Sequence, residues 1–282
     1  MKFDRKIRHL GIGKKLVFLI LCLYAVIQIF PLVWLVLFSL KDNTQIFGGN
    51  VMGLPSPWVF ENYRTALQGA KVGVYLMNSV IVTGITIFIT IAVSTMASYA
   101  VARLKWRMSN LFLLFITMGM MIPVHASLLP LFLNFSKLGI LNTRLSLILP
   151  YVGFAIPLAT NVLTVFFRTI PTELEEAAVI DGCTIYQTFF RIMIPMIKPA
   201  LATVSIFTYL STWNELMFAT TFINKAGLKT LTVGIMSMVG EYATSWGPIG
   251  AGLVAATVPS IIGYMFVSAK LPEAMSAGAV KG

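Results

Sequence analysis

Six apolar runs, each about as long as a bilayer's hydrocarbon core is thick, constrain this chain more than any other feature. They cover residues 16–40, 74–102, 109–132, 144–168, 199–223 and 247–269. A helix needs about 20 apolar residues to cross the hydrocarbon. Lipid offers no partner for open backbone N–H and C=O groups, so spans of this kind are read as helices. The hydrophobic share is 57% and the charged share only 11%, against about 25% charged in soluble domains. The expected fold class is therefore an all-α integral membrane protein with six transmembrane helices.

Six crossings return both termini to one side, and the basic residues say which. Lys and Arg are retained on the cytoplasmic face. Lys2, Arg5, Lys6, Arg8, Lys14 and Lys15 crowd the N-terminus, Arg103, Lys105 and Arg107 follow the second run, Arg168, Arg191 and Lys198 flank the segment after the fourth, and Lys270 and Lys281 lie in the tail. The other side carries half as many: Lys41, Arg64, Lys71, Lys137, Arg144, Lys225 and Lys229. Both termini are expected to be cytoplasmic, and the net charge of +11 reads as topology signal and lipid-surface contact. No basic, aromatic-interleaved soluble module is present, which argues against nucleic-acid binding. The first run is too long for a secretory signal and lacks a small-residue cleavage site before Lys41.

Two cysteines, Cys22 and Cys183, fall on different elements and no disulfide is expected. No Cys/His cluster has metal-ligand spacing, with His9 and His125 far apart, so no metal is expected. The one long connection on the outer side, 41–73, holds Gly48-Gly49-Asn50, Gly53, Pro55 and Pro57 as turns. Phe60-Glu61-Asn62-Tyr63 starts a short helix, and Trp58, Phe60 and Tyr63 suit an aromatic belt. The expected organisation is a basic N-terminus over 1–15, a transmembrane domain over 16–270, a cytoplasmic hairpin within it at 171–198, and a tail over 271–282.

The hairpin is the charged, punctuated break in this pattern. Pro171 suits a first helical turn because its missing N–H would be unpaired there anyway. Glu173, Glu175 and Glu176 then set negative charge against the positive helix end. Leu174, Ala177, Ala178 and Asp181 share a face of small residues, and Gly182 ends the helix with its freedom to adopt positive φ. A second helix starts at once, since Thr184 and Gln187 have capping-box spacing. Ile185, Phe189, Ile192 and Met193 repeat at helical intervals until Pro195 and Pro199 break the pattern. From periodicity alone the segment suits either a docking surface or an anchor lying on lipid.

Polar groups inside spans are costly and tend to face the bundle interior or water. Gln28, Asn161, Trp213, Asn214 and Glu215 are the candidates, with Asn161, Trp213, Asn214 and Glu215 taken as a substrate path. Asn214 and Glu215 serve equally well as interhelical hydrogen-bonding groups. Pro123, Pro130 and Pro150 are expected to interrupt spans three and four. His125, next to Pro123, is read as interfacial rather than gate-lining.

Glu176-Ala177-Ala178, Asp181-Gly182, Ile194-Pro195 and Pro199 resemble the EAA loop of the membrane permease subunits of ABC importers. Met121-Ile122-Pro123, Ser136 to Gly139, Leu141-Asn142-Thr143, Ile148 to Tyr151, Trp213-Asn214-Glu215, Gly240-Glu241-Tyr242 and the terminal Ala277 to Gly282 are similar to stretches of the carbohydrate, maltose-type branch. Cys183 departs from that branch's small Ala or Ser. The resemblance implies a sugar or oligosaccharide importer in the bacterial inner membrane. In it the hairpin is a coupling helix, with Glu176, Ala177, Ala178, Asp181, Gly182 and Pro195 as ATPase-coupling residues. The implied partners are a homologous second permease, two copies of an ABC ATPase and an extracytoplasmic solute-binding protein, and the tail suits a second ATPase contact or a disordered end equally well.

The chain is not expected to be an enzyme or to bind a cofactor. It has no Gly-x-x-x-x-Gly-Lys-Ser/Thr phosphate loop, so ATP-Mg belongs to the partner ATPase. The competing class is a stand-alone secondary carrier or channel. Such carriers build ion sites from several intramembrane acids, whereas Glu215 is the one acid deep in a span here.

Overall fold

The computed structural model describes residues 12–104, 106–240 and 244–268. Lys2, Arg5, Lys6, Arg8, His9, Lys105, Glu241, Tyr242 and the tail from 269 lie outside the described residues. Eleven principal helices order the chain: α1 (Ile12–Ser39), α2 (Val72–Arg103), α3 (Ser109–Met118), α4 (Leu128–Lys137), α5 (Leu145–Thr169), α6 (Glu173–Ile180), α7 (Ile185–Thr188), α8 (Lys198–Trp213), α9 (Met217–Phe222), α10 (Leu231–Met236) and α11 (Trp246–Ser268). The chain divides into two compact units, Met1–Ala70 with Met238–Ala255 and Lys71–Ser237 with Ala256–Gly282.

In the first unit, α1 exposes apolar side chains all round, from Leu16 to Val33, as a helix facing lipid does. The segment after it is a folded connection. Asp42 accepts from the Gln45 N–H at 2.8 Å and the Thr44 hydroxyl at 2.7 Å, capping the short helix Asn43–Phe47. Buried Asn62 donates to the carbonyls of Ser39 and Lys41 at 2.9 and 2.8 Å. Lys41, counted from sequence as a topology charge, is fully buried, with its Nζ donating to the carbonyls of Asn50 and Val51 at 2.6 and 2.9 Å. Burial pushes its pKa down. Gly247 lies so close that an added Cβ would sit 2.3 Å from the Lys41 carbonyl oxygen. The expected short helix after Phe60 is present as Glu61–Arg64, with a π turn through Gly69.

In the second unit, α2 and α5 run in parallel as its spine. The buried stripe of α2 is Ser79, Thr83, Thr86, Thr90, Ser94 and Ser98, at three- and four-residue intervals that make one helix face. Ser98 donates to the Thr160 carbonyl of α5 at 2.9 Å. Small hydroxyl residues let helix backbones approach closely where lipid supplies no hydrophobic drive between helices. One apolar cluster joins the starts of the two helices, through Val82, Leu147, Ile148, Tyr151, Phe218 and Phe222. The other joins their ends, through Tyr99, Leu163, Phe167, Phe189, Met193 and Ile197.

Among the described residues four helices are long and apolar enough to cross a membrane, and two bent pairs make up to six. Runs one, two, four and six match α1, α2, α5 and α11 within a few residues. Runs three and five do not fold as single helices. The run 109–132 breaks after α3, passes through two 3₁₀ turns at Gly119–Met121 and Val124–Ser127, and bends by 87° into α4. Pro123 is the physical reason: it lacks an N–H, and it forces Ile122 out of the helical region, to ψ 118°. The run 199–223 stops at Trp213, opens over 214–216 and resumes as α9. Pro130 and Pro150 do not interrupt their helices, contrary to expectation. Pro130 stands in the first turn of α4, where a proline is tolerated, and α5 continues through both Pro150 and Pro157.

Candidate functional site

Two features of the second unit stand out: the hairpin and a cavity. The hairpin folds as its sequence indicates. α6 carries three acids in its first turn, and Gly182 takes φ +78°, the left-handed conformation that ends it. The capping box is complete, with Gln187 N–H donating to Thr184 Oγ1 at 3.3 Å and Thr184 N–H to Gln187 Oε1 at 2.7 Å. A π segment, Phe189–Met193, follows, and the chain turns by 73° at Ile197, between Pro195 and Pro199, into α8. Pro195 is exposed at that corner.

The hairpin presents an open tip. Glu176, Ala177, Asp181 and Gly182 are exposed, and beside them Val179, Ile180, Ile185 and Tyr186 leave apolar surface uncovered, Ile180 at 85%. Ala178 differs from its neighbour: at 3% exposure it is turned into the chain's own fold. Cys183 is half-buried.

What holds the hairpin was missed from sequence. Arg103, the last residue of α2, donates Nε to Glu175 Oε2 at 2.6 Å, and its terminal nitrogens reach the carbonyls of Ile170 at 3.0 Å, Pro171 at 3.2 Å and Phe167 at 3.4 Å. The guanidinium thus satisfies the end of α5 and pairs with α6 in one contact. Tyr99, one turn earlier, packs on Phe167 and Phe189 with ring centroids 5.6 and 4.9 Å apart. Read as a topology charge, Arg103 carried one retrievable signal, its place at a helix end facing an acid-rich helix.

The cavity has a volume of about 530 Å³. α5 lends Tyr151 and Phe154, α8 lends Phe207, Thr208 and Ser211, and both broken stretches open onto it, through Val124 and His125 at the first and Asn214, Glu215 and Leu216 at the second. Non-helical backbone at membrane depth is tolerated where it is buried in protein or lines a water-filled space. The two interruptions meet that condition together.

The four residues of the expected path separate here. Asn214 and Glu215 line the cavity; Asn161 and Trp213 do not. Asn161 is taken up by α3 and by its own helix, accepting from the Thr117 hydroxyl at 3.1 Å and donating to the Pro157 carbonyl at 2.8 Å. Trp213 is buried, its Nε1 donating to the Ala256 carbonyl at 3.3 Å. Glu215 has a defined structural task. Oε1 accepts from the Phe218 N–H at 2.8 Å, and Oε2 accepts from the Ala219 N–H at 3.1 Å and the Tyr151 hydroxyl at 2.5 Å. Its carboxylate caps α9 and fastens the break to α5. His125, expected at the interface, is on the cavity wall. Among the described residues no cluster of three or more His, Cys, Asp or Glu side chains forms a metal site.

Residues 91–271 match the family described as binding-protein-dependent transport system inner membrane component. The chain is 38% identical over 279 residues to the probable ABC transporter permease protein YurM of Bacillus subtilis, covering 99% of this chain and 92% of that one. It is 33% identical to the sulfoquinovosyl glycerol transport system permease protein SmoH of Agrobacterium fabrum, covering 96% and 95%. Its fold is similar to that of a bacterial ABC transporter involved in the import of the acidic polysaccharide alginate, with TM-score 0.79, 24% identity, and 91% and 95% of the two chains covered.

Proposed function

The chain belongs to the family of binding-protein-dependent transport system inner membrane components and is a membrane permease subunit of an ABC importer; from that premise we propose that its hairpin tip docks an ATPase subunit and its cavity forms part of a sugar path. The family works with ATPase and binding-protein partners in the inner membrane. An ion-driven carrier, the other class weighed, is set aside by family membership. The finer arrangement we propose is a second homologous permease, two ATPase copies, ATP hydrolysed by the partner alone, and both termini on the hairpin's side, in the cytoplasm.

The observation that carries the docking is the chemistry of the tip. An exposed apolar set, Val179, Ile180, Ile185 and Tyr186, sits beside Glu176 and Asp181. Surface anchors on anionic lipid are basic on their polar face. α6 holds Glu173, Glu175 and Glu176 and no Lys or Arg, which favours a protein cleft over headgroups. Gly182→Asp or Glu176→Lys is expected to leave membrane insertion intact and to lower co-purification of the ATPase. Unchanged co-purification removes the docking reading.

A sugar is the solute that suits the cavity. Its volume lies in the range of small-molecule sites. Aromatic faces from Tyr151, Phe154 and Phe207 alternate with the polar groups of Thr208, Ser211, Asn214 and His125. The one carboxylate on its wall has both oxygens occupied, which suits a neutral polar ligand better than a cation. The trehalose transport system permease protein SugB of Mycobacterium tuberculosis, to which the chain is 34% identical, points to the same class. Stimulation of ATP hydrolysis by neutral oligosaccharides in the reconstituted complex, weakened in Ser211→Leu, is the expected result. Equal stimulation in that variant removes the cavity from the path.

A further inference from the structure

A movement at the hairpin has two helical routes towards the other end of this unit, α8 and α2. The obvious route, directly up α8, is poorly built for it: the chain bends by 73° where it enters α8, and α8 ends at Trp213 before the opening at 214–216. α2 is different. Among the described helices of membrane-crossing length it alone has no internal proline, since α1 holds Pro31, α5 holds Pro150 and Pro157, and α11 holds Pro259. Its 32 residues make a rod about 48 Å long at 1.5 Å per residue.

Both ends of that rod are clamped. At the hairpin end, Arg103 grips Glu175 of α6 and the carbonyls of Phe167, Ile170 and Pro171. Its side chain is 6% exposed and that of Glu175 20%, so water competes little for the pair. At the far end, buried Asn78 donates to the carbonyls of Gly227 and Lys229 at 2.9 and 3.1 Å and accepts from Arg144 at 2.9 Å. Ser79 Oγ accepts from the Leu231 N–H at 2.8 Å, capping the start of α10. The segment held there, 224–231, is also tied to Asn142, whose Oδ1 accepts from the N–H groups of Asn224 and Lys225 at 2.6 and 3.0 Å.

We propose that Arg103 and Asn78 are positioning residues at the two ends of a strut. Through them α2 carries displacement of the hairpin to the 224–231 segment that borders the far end of the bundle. Rigid elements joined by hydrogen-bonded clamps are the physical carriers of such coupling. The assignment rests on the docking reading above and adds its route. It makes a distinction docking alone does not: loss of either clamp uncouples the far segment while the ATPase still binds.

The test uses the complete complex in proteoliposomes, with Cys22→Ser and Cys183→Ser as background and Lys225→Cys as reporter for an impermeant maleimide. Labelling rates are compared between the nucleotide-free state and the state trapped with Mg-ATP and vanadate. In the parent the two rates are expected to differ about fivefold or more, the size of an ordinary allosteric coupling. Arg103→Met and Asn78→Ala are each expected to bring the two rates together while ATPase co-purification stays at the parent level. The double variant should be no worse than either single one, because both cut one path. Arg103→Lys, which keeps the charge but cannot reach four acceptors at once, should also lose most of the difference, and it decides the matter should the methionine variant not assemble. A nucleotide-dependent difference that persists in either single variant, or is missing from the parent, overturns the strut. Failure of docking itself would appear separately, as unchanged co-purification with Glu176→Lys.

Discussion

The two interrupted spans are broken by different chemistry. Between α3 and α4 the break is covalent and local: Pro123 removes a donor and pushes Ile122 into extended backbone, and the chain bends by 87°. Between α8 and α9 no proline stands at the gap. There a side chain does the work, as Glu215 draws the N–H groups of Phe218 and Ala219 and the Tyr151 hydroxyl onto one carboxylate. The first break follows from a residue's own geometry and needs no partner. The second is held by two N–H groups of its own segment and, across the fold, by the Tyr151 hydroxyl that α5 brings within reach. Both open onto the same cavity, so its wall is interrupted at two places by two unrelated means.

Glu215→Ala strands three donors, and should lower the unfolding free energy of the detergent-solubilised complex by about 3 kcal/mol; a loss below about 1 kcal/mol would mean the carboxylate does not hold the second break. Gly119→Ala acts on the first break through packing, since the added Cβ would lie 2.9 Å from Pro157 Cγ. A cost of about 2 kcal/mol is expected, read as a drop in melting temperature, and no drop would mean that α5 yields freely there. Tyr151→Phe removes one of the three donors to Glu215 and should cost about 1 kcal/mol; an effect as large as that of Glu215→Ala would shift the anchor of the second break from the backbone capping to the phenol. Pro123→Ala should change stability by no more than about 0.5 kcal/mol, because Pro123 is exposed. A larger loss in chemical unfolding would erase the contrast between a local and a tertiary break.

Much of the hairpin was legible because its signals are local. Gly182 needs positive φ, Thr184 and Gln187 cap each other three residues apart, and Pro195 and Pro199 frame the corner. Every one of these interactions is decided within a few residues, and all are present. The cavity was less legible. Asn161 and Trp213 were polar and intramembrane, yet their partners are Thr117, Pro157 and Ala256, and nothing in spacing says which neighbour a lone polar group will find. His125 and Tyr151 entered the wall because two chain breaks and α5 converge there. Ala178 separated from Ala177 for the same reason: burial depends on what packs over a face, and adjacent helical residues point about 100° apart.

By itself the sequence determined that the chain lives in lipid, where its helices begin and end at α1, α2, α5 and α11, and that a glycine-cornered hairpin lies between 171 and 198. Those features depend on transfer of apolar length from water and on contacts between near neighbours, and both are written in order along the chain. Only the tertiary structure decided that Arg103 would be a clamp, that Glu215 would cap a broken span, and that the hydroxyl stripe of α2 would be a helix interface. Arg103 meets groups 64 to 72 positions away, Glu215 meets Tyr151 64 positions away, and Ser98 meets Thr160 62 positions away. Contacts of about 3 Å across such separations are not encoded by hydropathy or periodicity.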